Sequence, residues 1–221
     1  MTLHTLLDDE QKVICGDSLE IMKTFKDKQF DLVLTDPPYG IGAYSKGTMG
    51  GGVLAKQSRF EATDWDNAIP PREYFDEMRR VSKHQIIFGG NYFIEYLSNS
   101  PCWIVWDKDN GDNYFADCEL AWTSFDTAVR KYRFRWQGML QENMKDKEHK
   151  FHPTQKPIEV MRWCLENYSE DGQTILDPFA GGGSTIIAAK QLQREATGIE
   201  INPEYCKIAR QRLENQTPPM F

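Results

Sequence analysis

Long hydrophobic runs are missing from this 221-residue sequence. No stretch approaches the roughly 20 apolar residues that a membrane-spanning helix needs, and the N-terminus has neither the basic start nor the apolar segment of a signal peptide. The five cysteines form no CxxC pair and there are only four histidines, which disfavours a structural zinc site. We therefore expect a cytoplasmic protein that has no membrane partner and needs no metal.

An overall basic charge is also missing, since the formal net charge is −7. Taken alone, this charge disfavours binding to nucleic acid. The charge is nevertheless uneven, because residues 128–156 carry eight Lys and Arg side chains against three acids. A short basic segment on an acidic body is the pattern expected where a limited surface contacts a polyanion.

Alternating strand and helix patterns are present instead, and they run along the whole chain. Apolar segments that predict strands cover residues 12–17, 30–36, 85–90, 102–108, 118–125, 174–177 and 196–200. Amphipathic helices are predicted to begin near Ser18, Pro71, Pro157, Ser184 and Pro203. The order predicts one domain, residues 1–221, of the α/β class with a doubly wound, mostly parallel sheet. Residues 40–64 are rich in glycine and lack periodicity, so we expect a mobile, functional loop there.

The segment DPFAGGGST, residues 177–185, follows one predicted strand and opens a helix. Ligands of a doubly wound sheet bind at such turns, where glycines allow the backbone to come close. The turn lacks the GK[ST] ending of a phosphate-binding loop, so a polyphosphate is not required. Glu200 lies 23 residues after Asp177 at the end of the next strand, where a carboxylate can accept hydrogen bonds from a ribose. The pair indicates a nucleoside cofactor.

The segment TDPPYG, residues 35–40, ends another buried strand. Its two prolines remove two N–H donors and stiffen the turn. The Asp36 carboxylate and the Pro37 carbonyl therefore stand as acceptors that fit an exocyclic amino group. Tyr39 adds a flat face on which a planar base can stack.

Together these segments resemble the DNA amino-methyltransferases, which use S-adenosylmethionine. TDPPYG is similar to the family's catalytic motif, DPFAGGGS to its cofactor motif, and GIEINPEY to the segment whose acid binds the cofactor ribose. HPTQKP, residues 152–157, is similar to the segment that lines the methionine end of the cofactor. The catalytic motif precedes the cofactor motif, which is the circularly permuted arrangement called the β group. The resemblance implies a seven-stranded, Rossmann-like methyltransferase sheet.

The resemblance also implies roles for individual residues. The implied catalytic residues are Asp36, Pro37, Pro38 and Tyr39, which would hold a target amino group facing the cofactor's methyl group. The implied cofactor residues are Asp17, Thr154, Lys156, Asp177, Phe179, Ala180, Gly181, Gly183, Ser184, Glu200 and Asn202. The target base would have to leave the duplex to reach this site.

The partner of such an enzyme is double-stranded DNA, and the basic segment is the candidate recognition element. In the resembling family the segment between the two motifs carries target recognition; here it is short, residues 128–151. The candidate DNA-binding residues are Arg130, Lys131, Arg133 and Arg135, joined by Lys46, Lys56 and Arg59 in the loop 40–64. The alternation of Arg130, Lys131, Arg133 and Arg135 with aromatic residues predicts a strand. So small a segment reaches few base edges, so we expect a short recognition sequence or a homodimer.

The prediction is an adenine-N6-specific DNA methyltransferase of a bacterium or a phage. The N4-cytosine enzymes share the chemistry and stay open as an alternative, although they more often have Ser where this chain has Asp36. A DNA-binding module that has lost catalysis is the alternative from another class. The sequence leaves open the recognition site and whether a cognate restriction endonuclease exists.

Overall fold

The chain forms a three-layer α/β structure with a large central sheet. The computed structural model describes residues 6–8, 11–42, 48–49, 58–59, 66–111, 116–137, 140–145, 147–151 and 154–216. The strands are β1 Leu6–Asp8, β2 Gln11–Cys15, β3 Phe30–Thr35, β4 Thr48–Met49, β5 Ser58–Arg59, β6 Ser82–Phe88, β7 Trp103–Asp107, β8 Cys118–Thr123, β9 Arg130–Arg133, β10 Trp136–Gln137, β11 Leu140–Gln141, β12 Thr174–Asp177 and β13 Glu195–Glu200. The α-helices are α1 Ser18–Met22, α2 Arg72–Val81, α3 Ile158–Tyr168, α4 Ser184–Gln191 and α5 Pro203–Glu214.

The central sheet has nine strands in the order β1-β2-β13-β12-β3-β6-β8-β7-β9. The five strands from β2 to β6 in this order pair in parallel, and so do β7 and β9. β8 runs antiparallel to both of its neighbours, and β1 runs antiparallel to β2. The predicted doubly wound, mostly parallel fold is confirmed.

The predicted count of seven strands is corrected to nine. The seven segments predicted from apolar runs all form strands of this sheet, and the two further strands, β1 and β9, are its edges. Strand β9 was expected from the alternation of basic and aromatic residues, but as part of a separate recognition insertion. Because β9 pairs with β7, the first part of segment 128–151 belongs to the central sheet.

The apolar run in β3 shows how the sheet is covered on both faces. Leu32 and Leu34 point into a core formed with α3, α4 and α5, whereas Val33 points into a second core formed with α1 and α2. All three side chains are at most 1% exposed. A strand that is buried on both faces reads as a continuous apolar run, which explains the pattern seen in the sequence.

The loop predicted over residues 40–64 lies largely outside the described residues. Within it, the backbones of β4 and β5 pair as a small antiparallel sheet.

Sheet topology brings the ends of several distant segments to one edge. Strands β3, β12 and β13 run in parallel, so their carboxyl ends lie at this edge. Asp36 directly follows β3, whereas Asp177 and Glu200 are the last residues of β12 and β13. The antiparallel strand β8 contributes its beginning instead, so that Glu119 reaches the same edge. The candidate site is built along this edge.

Candidate functional site

A cavity of about 420 Å³ lies at the carboxyl ends of β12 and β13. We call it the first cavity, and its volume falls within the range of small-molecule sites. The residues that line it come from the turns after β3 and β12, the end of β13, the segment before α3 and the beginnings of α3, α4 and α5. They are Asp36, Pro38, Thr154, Gln155, Lys156, Met161, Asp177, Phe179, Ala180, Gly181, Gly182, Ser184, Thr185, Glu200, Ile201, Asn202 and Tyr205.

The carboxylate of Glu200 is fixed by the backbone of the glycine turn. The N–H of Gly181 donates to Oε2 at 2.8 Å, and the N–H of Asn202 donates to Oε1 at 2.7 Å. Gly181 and Gly183 have φ angles of +49° and +81°, a region that glycine adopts without strain. Burial raises the pKa of Glu200, and the backbone donors offset part of that rise. The carboxylate retains lone pairs for hydroxyl groups of a ligand, since two of about four are used.

Asp177 is the second buried carboxyl group of the first cavity. Its Oδ1 accepts from the hydroxyl of Thr35 at 2.7 Å and from the N–H of Phe179 at 3.1 Å. Burial nevertheless raises the pKa of Asp177 to about 6. The Ser184 hydroxyl, also in the cavity lining, is buried and has no hydrogen-bond partner among the described residues. The Asp177 carboxyl group and the Ser184 hydroxyl can therefore form hydrogen bonds with polar groups of a ligand.

Nine of the eleven predicted cofactor residues line the first cavity, and two do not. Asp17 caps α1, where it accepts from the N–H of Glu20, and it also accepts from the Tyr74 hydroxyl. Gly183 packs below the turn against Ala209. The prediction missed several lining residues that adjoin its motifs or lie in the first turns of the following helices: Gln155, Met161, Gly182, Thr185, Ile201 and Tyr205.

A second cavity of about 490 Å³ lies beside the first. Asp36, Pro38 and residues 154–156 line both cavities, so they form the wall between them. All four predicted catalytic residues, Asp36 to Tyr39, line the second cavity, as does Asn91. Two ligands, one in each cavity, would therefore come together beside Asp36.

The segment that carries Lys156 is held by a partly buried carboxylate. Glu148 accepts from the N–H of Ile158, at the beginning of α3, at 2.9 Å. It also accepts from Arg212 of α5 at 2.9 Å and from the side chain of Gln155 at 2.5 Å. Since these contacts surround residues 154–156, they fix the wall between the two cavities.

The second cavity contains four charged side chains and one neutral phenol, which we call the charged cluster: Asp36, Lys108, Glu119 and Lys156, with Tyr39. Lys156 Nζ donates to Asp36 Oδ2 at 2.5 Å and lies 3.1 Å from Glu119 Oε2. The Tyr39 hydroxyl donates to Asp36 Oδ1 at 2.6 Å. Lys108 pairs with the other oxygen of Glu119. Two carboxylates thus face two ammonium groups, which is how buried charges are tolerated.

Burial and pairing act in opposite directions on these ionisable groups. Burial raises the pKa of Asp36, and Lys156 offsets only part of that rise. For Glu119 burial opposes ionisation, but Lys156 and Lys108 outweigh it and lower the pKa to about 2. For Lys156 burial favours the neutral amine, but Asp36 and Glu119 outweigh it and raise the pKa. Lys156 is therefore a cation that two carboxylates share.

The ring of Tyr39 is held by its surroundings. It stacks on Tyr92 with centroids 4.8 Å apart and planes at 15°. A Cβ atom on Gly89 would lie 2.1 Å from the ring, so glycine is required there for the backbone to pass. Asp66 accepts from the N–H groups of Tyr39 and Gly40, which fixes the turn after the two prolines. The Tyr92 ring therefore covers one face of Tyr39, so a base that stacks on Tyr39 has to use the opposite face.

The basic residues predicted to bind DNA lie on an exposed strand and form ion pairs. Lys131 is 3.1 Å from Asp107, and Arg133 is 2.5 Å from Asp109. Arg135 also pairs with Asp109. The predicted alternation is present, because the aromatic neighbours of these residues pack against the core that α3, α4 and α5 cover.

Of the other predicted DNA-binding residues, Arg130 begins β9 and is exposed. Lys46 and Lys56 lie outside the described residues, and only the backbone of Arg59 is described, in β5.

Sequence reasoning missed Glu119 and Lys108 as members of the site. Both lie in or beside ordinary strands, and neither belongs to a recognisable motif. The available signal was topological: a strand that enters the sheet in the reverse direction presents its first residues at the ligand edge.

Within the described residues, no helix is long and apolar enough to cross a membrane. Within the same ranges, no group of three or more His, Cys, Asp or Glu side chains is arranged to hold a metal ion.

Comparisons with known proteins agree with this geometry. A sequence model described as DNA methylase, of the N6 and N4 type, matches residues 91–211. The type II methyltransferase M.HpaI of Haemophilus parainfluenzae is 27% identical over 246 residues, covering 94% of this chain and 75% of that protein.

Among solved structures, the M1.HpyAVI complex with SAM has a TM-score of 0.56 and 23% identity, covering 91% of this chain and 98% of that one. The PvuII cytosine-N4-specific DNA methyltransferase has a TM-score of 0.61 and 14% identity, covering 94% and 88%. These structural likenesses show the fold. Since the family match spans more than half of the sequence, the chain belongs to the N6/N4 DNA methylase family.

Proposed function

We propose that this protein transfers a methyl group from S-adenosylmethionine to the N6 amino group of adenine in DNA. The observation that carries the proposal is the shared wall of the two cavities. Asp36 and Pro38 face both, so a methyl donor in the first cavity and a target base in the second would meet there. Holding two reactants in this way supplies much of the rate enhancement of a group transfer.

The residues of the first cavity fit the methyl donor, which supplies an activated methyl group when bound. The Glu200 carboxylate is in place for the ribose hydroxyls, since its backbone partners leave lone pairs unused. The partnerless hydroxyl of Ser184 offers a further polar contact. Thr154 and Lys156 line the part of the cavity next to Asp36. The role of Asp17 at the adenine remains a proposal, since its carboxylate lies outside the lining.

The catalytic turn suits an amino group that is a poor nucleophile. The lone pair of the adenine amino nitrogen is delocalised into the ring, and positive charge develops on the nitrogen as it attacks the methyl carbon. Hydrogen bonds from this amino group to Asp36 and to the Pro37 carbonyl stabilise that charge. The nitrogen–carbon bond forms as the carbon–sulfur bond breaks, and the amino group then loses one proton to Asp36 or to solvent.

DNA reaches this site with one base turned out of the duplex. The second cavity, at about 490 Å³, has room for a planar base, and Tyr39 offers a stacking surface. We assign the duplex contact to β9 and the residues that follow it, where Arg133 and Arg135 are 63% and 44% exposed. Asp109 then competes with the phosphates for both arginines.

The identity of the methylated base tests the proposal. DNA from cells that express the protein should contain N6-methyladenine at a short recurring sequence, detected by single-molecule sequencing and by mass spectrometry of nucleosides. Cells that express Asp36→Ala serve as the control. Finding N4-methylcytosine instead would overturn the choice of adenine, and finding no methylated base with an active cofactor site would overturn the activity.

A further inference from the structure

Both carboxylate oxygens of Asp36 already have a donor. Oδ1 accepts from the Tyr39 hydroxyl at 2.6 Å, and Oδ2 accepts from Lys156 Nζ at 2.5 Å. A target amino group that is to donate to Asp36 has to share this carboxylate with both or replace one of them. Each oxygen keeps a lone pair for such sharing, but the Lys156 ammonium group partly neutralises the carboxylate that the amino group would meet.

We propose that Glu119 is a positioning residue that takes Lys156 away from Asp36 when the target amino group arrives. This inference rests on the proposed function, because it concerns how Asp36 becomes free to bind that group. Glu119 lies on β8, outside the TDPPYG, HPTQKP, DPFAGGGS and GIEINPEY segments.

The distances allow the exchange with little movement. Lys156 Nζ lies between the two carboxylates, 2.5 Å from Asp36 Oδ2 and 3.1 Å from Glu119 Oε2. Lys108 holds the other oxygen of Glu119, so the receiving carboxylate is fixed in place. Lys156 can therefore lose its contact with Asp36 and keep an ion pair throughout.

Burial makes that second carboxylate necessary. The Lys156 side chain is only 6% exposed, so water cannot replace Asp36 as its partner at low cost. An ammonium group without a partner in such surroundings is strongly destabilised. Glu119 removes this cost because its own side chain is 20% exposed and already faces Lys156.

The exchange also changes the electrostatics that the amino group meets. With Lys156 on Asp36, a fixed positive charge sits where positive charge develops during methyl transfer, and the two repel each other. With Lys156 drawn to Glu119, Asp36 faces the amino group as a less neutralised anion. Tyr39 keeps its hydrogen bond to the other oxygen and holds the carboxylate in orientation.

Glu119→Gln separates this role from a purely structural one. The charged groups that face Asp36 are Lys156, Glu119, Lys108 and Asp177, together with the Tyr39 phenol. Methyl transfer in a single turnover on DNA should fall about tenfold or more. Removing the Glu119 charge also lowers the pKa of Asp36. Since activity requires ionised Asp36, the acid limb of the rate profile should move down by about half a pH unit or more.

Two matched variants complete the experiment. Glu119→Asp keeps the charge but shortens its reach, so it should fold, transfer methyl at an intermediate rate and retain the acid limb of the unaltered protein. Glu159→Gln removes a carboxylate from a surface ion pair on α3 and should leave the rate unchanged. Affinities for S-adenosylmethionine and DNA are measured in parallel to show that each variant is folded.

The outcomes distinguish this inference from the proposed function. If the unaltered protein methylates no adenine, the proposed function is wrong. If it does, and Glu119→Gln keeps both the rate and the acid limb of the unaltered protein, the handover of Lys156 is wrong. A loss confined to DNA affinity would also overturn it, since Glu119 would then contact the base directly.

Discussion

The two cavities share a wall, but different kinds of chemical groups form them. The first is formed mainly by backbone and by residues close together in sequence, with Glu200 held by the N–H groups of Gly181 and Asn202. The second depends on charged side chains from distant segments, with Asp36 held by Lys156, 120 residues away. The comparison separates a site fixed by a local turn from one that exists only when the whole sheet has formed.

This difference suits the two ligands. A cofactor used in every turnover is served by a rigid turn whose donors need no rearrangement. A base that enters from a duplex needs acceptors that can exchange partners, and shared ion pairs provide them. Variants in the two cavities should therefore fail in different ways.

The largest effect is expected from Asp36→Ala. The variant should lose methyl transfer by about 10³-fold or more, because the target amino group loses its charged acceptor. Affinity for S-adenosylmethionine should stay close to that of the unaltered protein, since Lys156 retains Glu119 as a partner. A tritium-transfer assay and calorimetry measure the two quantities. Substantial remaining turnover would remove Asp36 from its proposed role.

Glu200→Ala should give the reverse pattern. It removes charge-assisted hydrogen bonds worth roughly 2–4 kcal/mol together, so cofactor affinity should fall about 30-fold or more. Glu195→Ala, at the exposed beginning of the same strand, is the matched control and should bind the cofactor normally. Unchanged affinity in Glu200→Ala would mean that this carboxylate only braces the glycine turn.

Asp177→Asn sharpens the comparison through its dependence on pH. The folded-state pKa of about 6 lies above the unfolded value of about 3.9, so the carboxyl group lowers stability as pH rises between these values. The variant should therefore be more stable than the unaltered protein by about 3 kcal/mol at pH 8, and by about half of that at pH 5, which lies between the two pKa values. Thermal unfolding at both pH values checks this, and an equal difference at both would contradict it.

The smallest effect is expected on the DNA side. Replacing Arg133 and Arg135 by Ala should weaken DNA binding about tenfold and flatten the salt dependence by up to about two units of log–log slope. Asp109→Asn should not weaken binding, because it removes the competitor of both arginines. Fluorescence anisotropy across a salt series measures both variants. If the double variant matches the unaltered protein, the arginines serve only their ion pairs.

Most of the cofactor residues predicted from the sequence line the first cavity, because many of them belong to one contiguous turn. DPFAGGGST places a strand end, a turn and a helix start within nine residues, and local rules for glycine and for strand ends apply to each. Asp17 lies outside the cavity lining, where its carboxylate caps α1 and accepts from Tyr74, and its role at the adenine stays a prediction. Which partners a carboxylate takes is decided by packing and is invisible in a motif.

The second cavity was predicted only as far as its motif extends. Asp36 and Tyr39 stood out because two prolines beside an acid at a strand end are uncommon. Glu119 carries no such mark, and its place follows from the antiparallel direction of β8. The extra edge strands were missed or assigned to an insertion because they are only three and four residues long, too short to show a clear hydrophobic periodicity.

The strand order has a consequence for synthesis. Strands β2 and β3 are near neighbours in sequence, yet β13 and β12 lie between them in the sheet. An emerging chain must therefore keep β2 and β3 apart until residues 174–200 have left the ribosome. Until then the centre of the sheet has unpaired edges, which are sites for association between chains. The sheet can thus be completed only after residues 174–200 have emerged, and folding should be slow because the central pairings are so non-local.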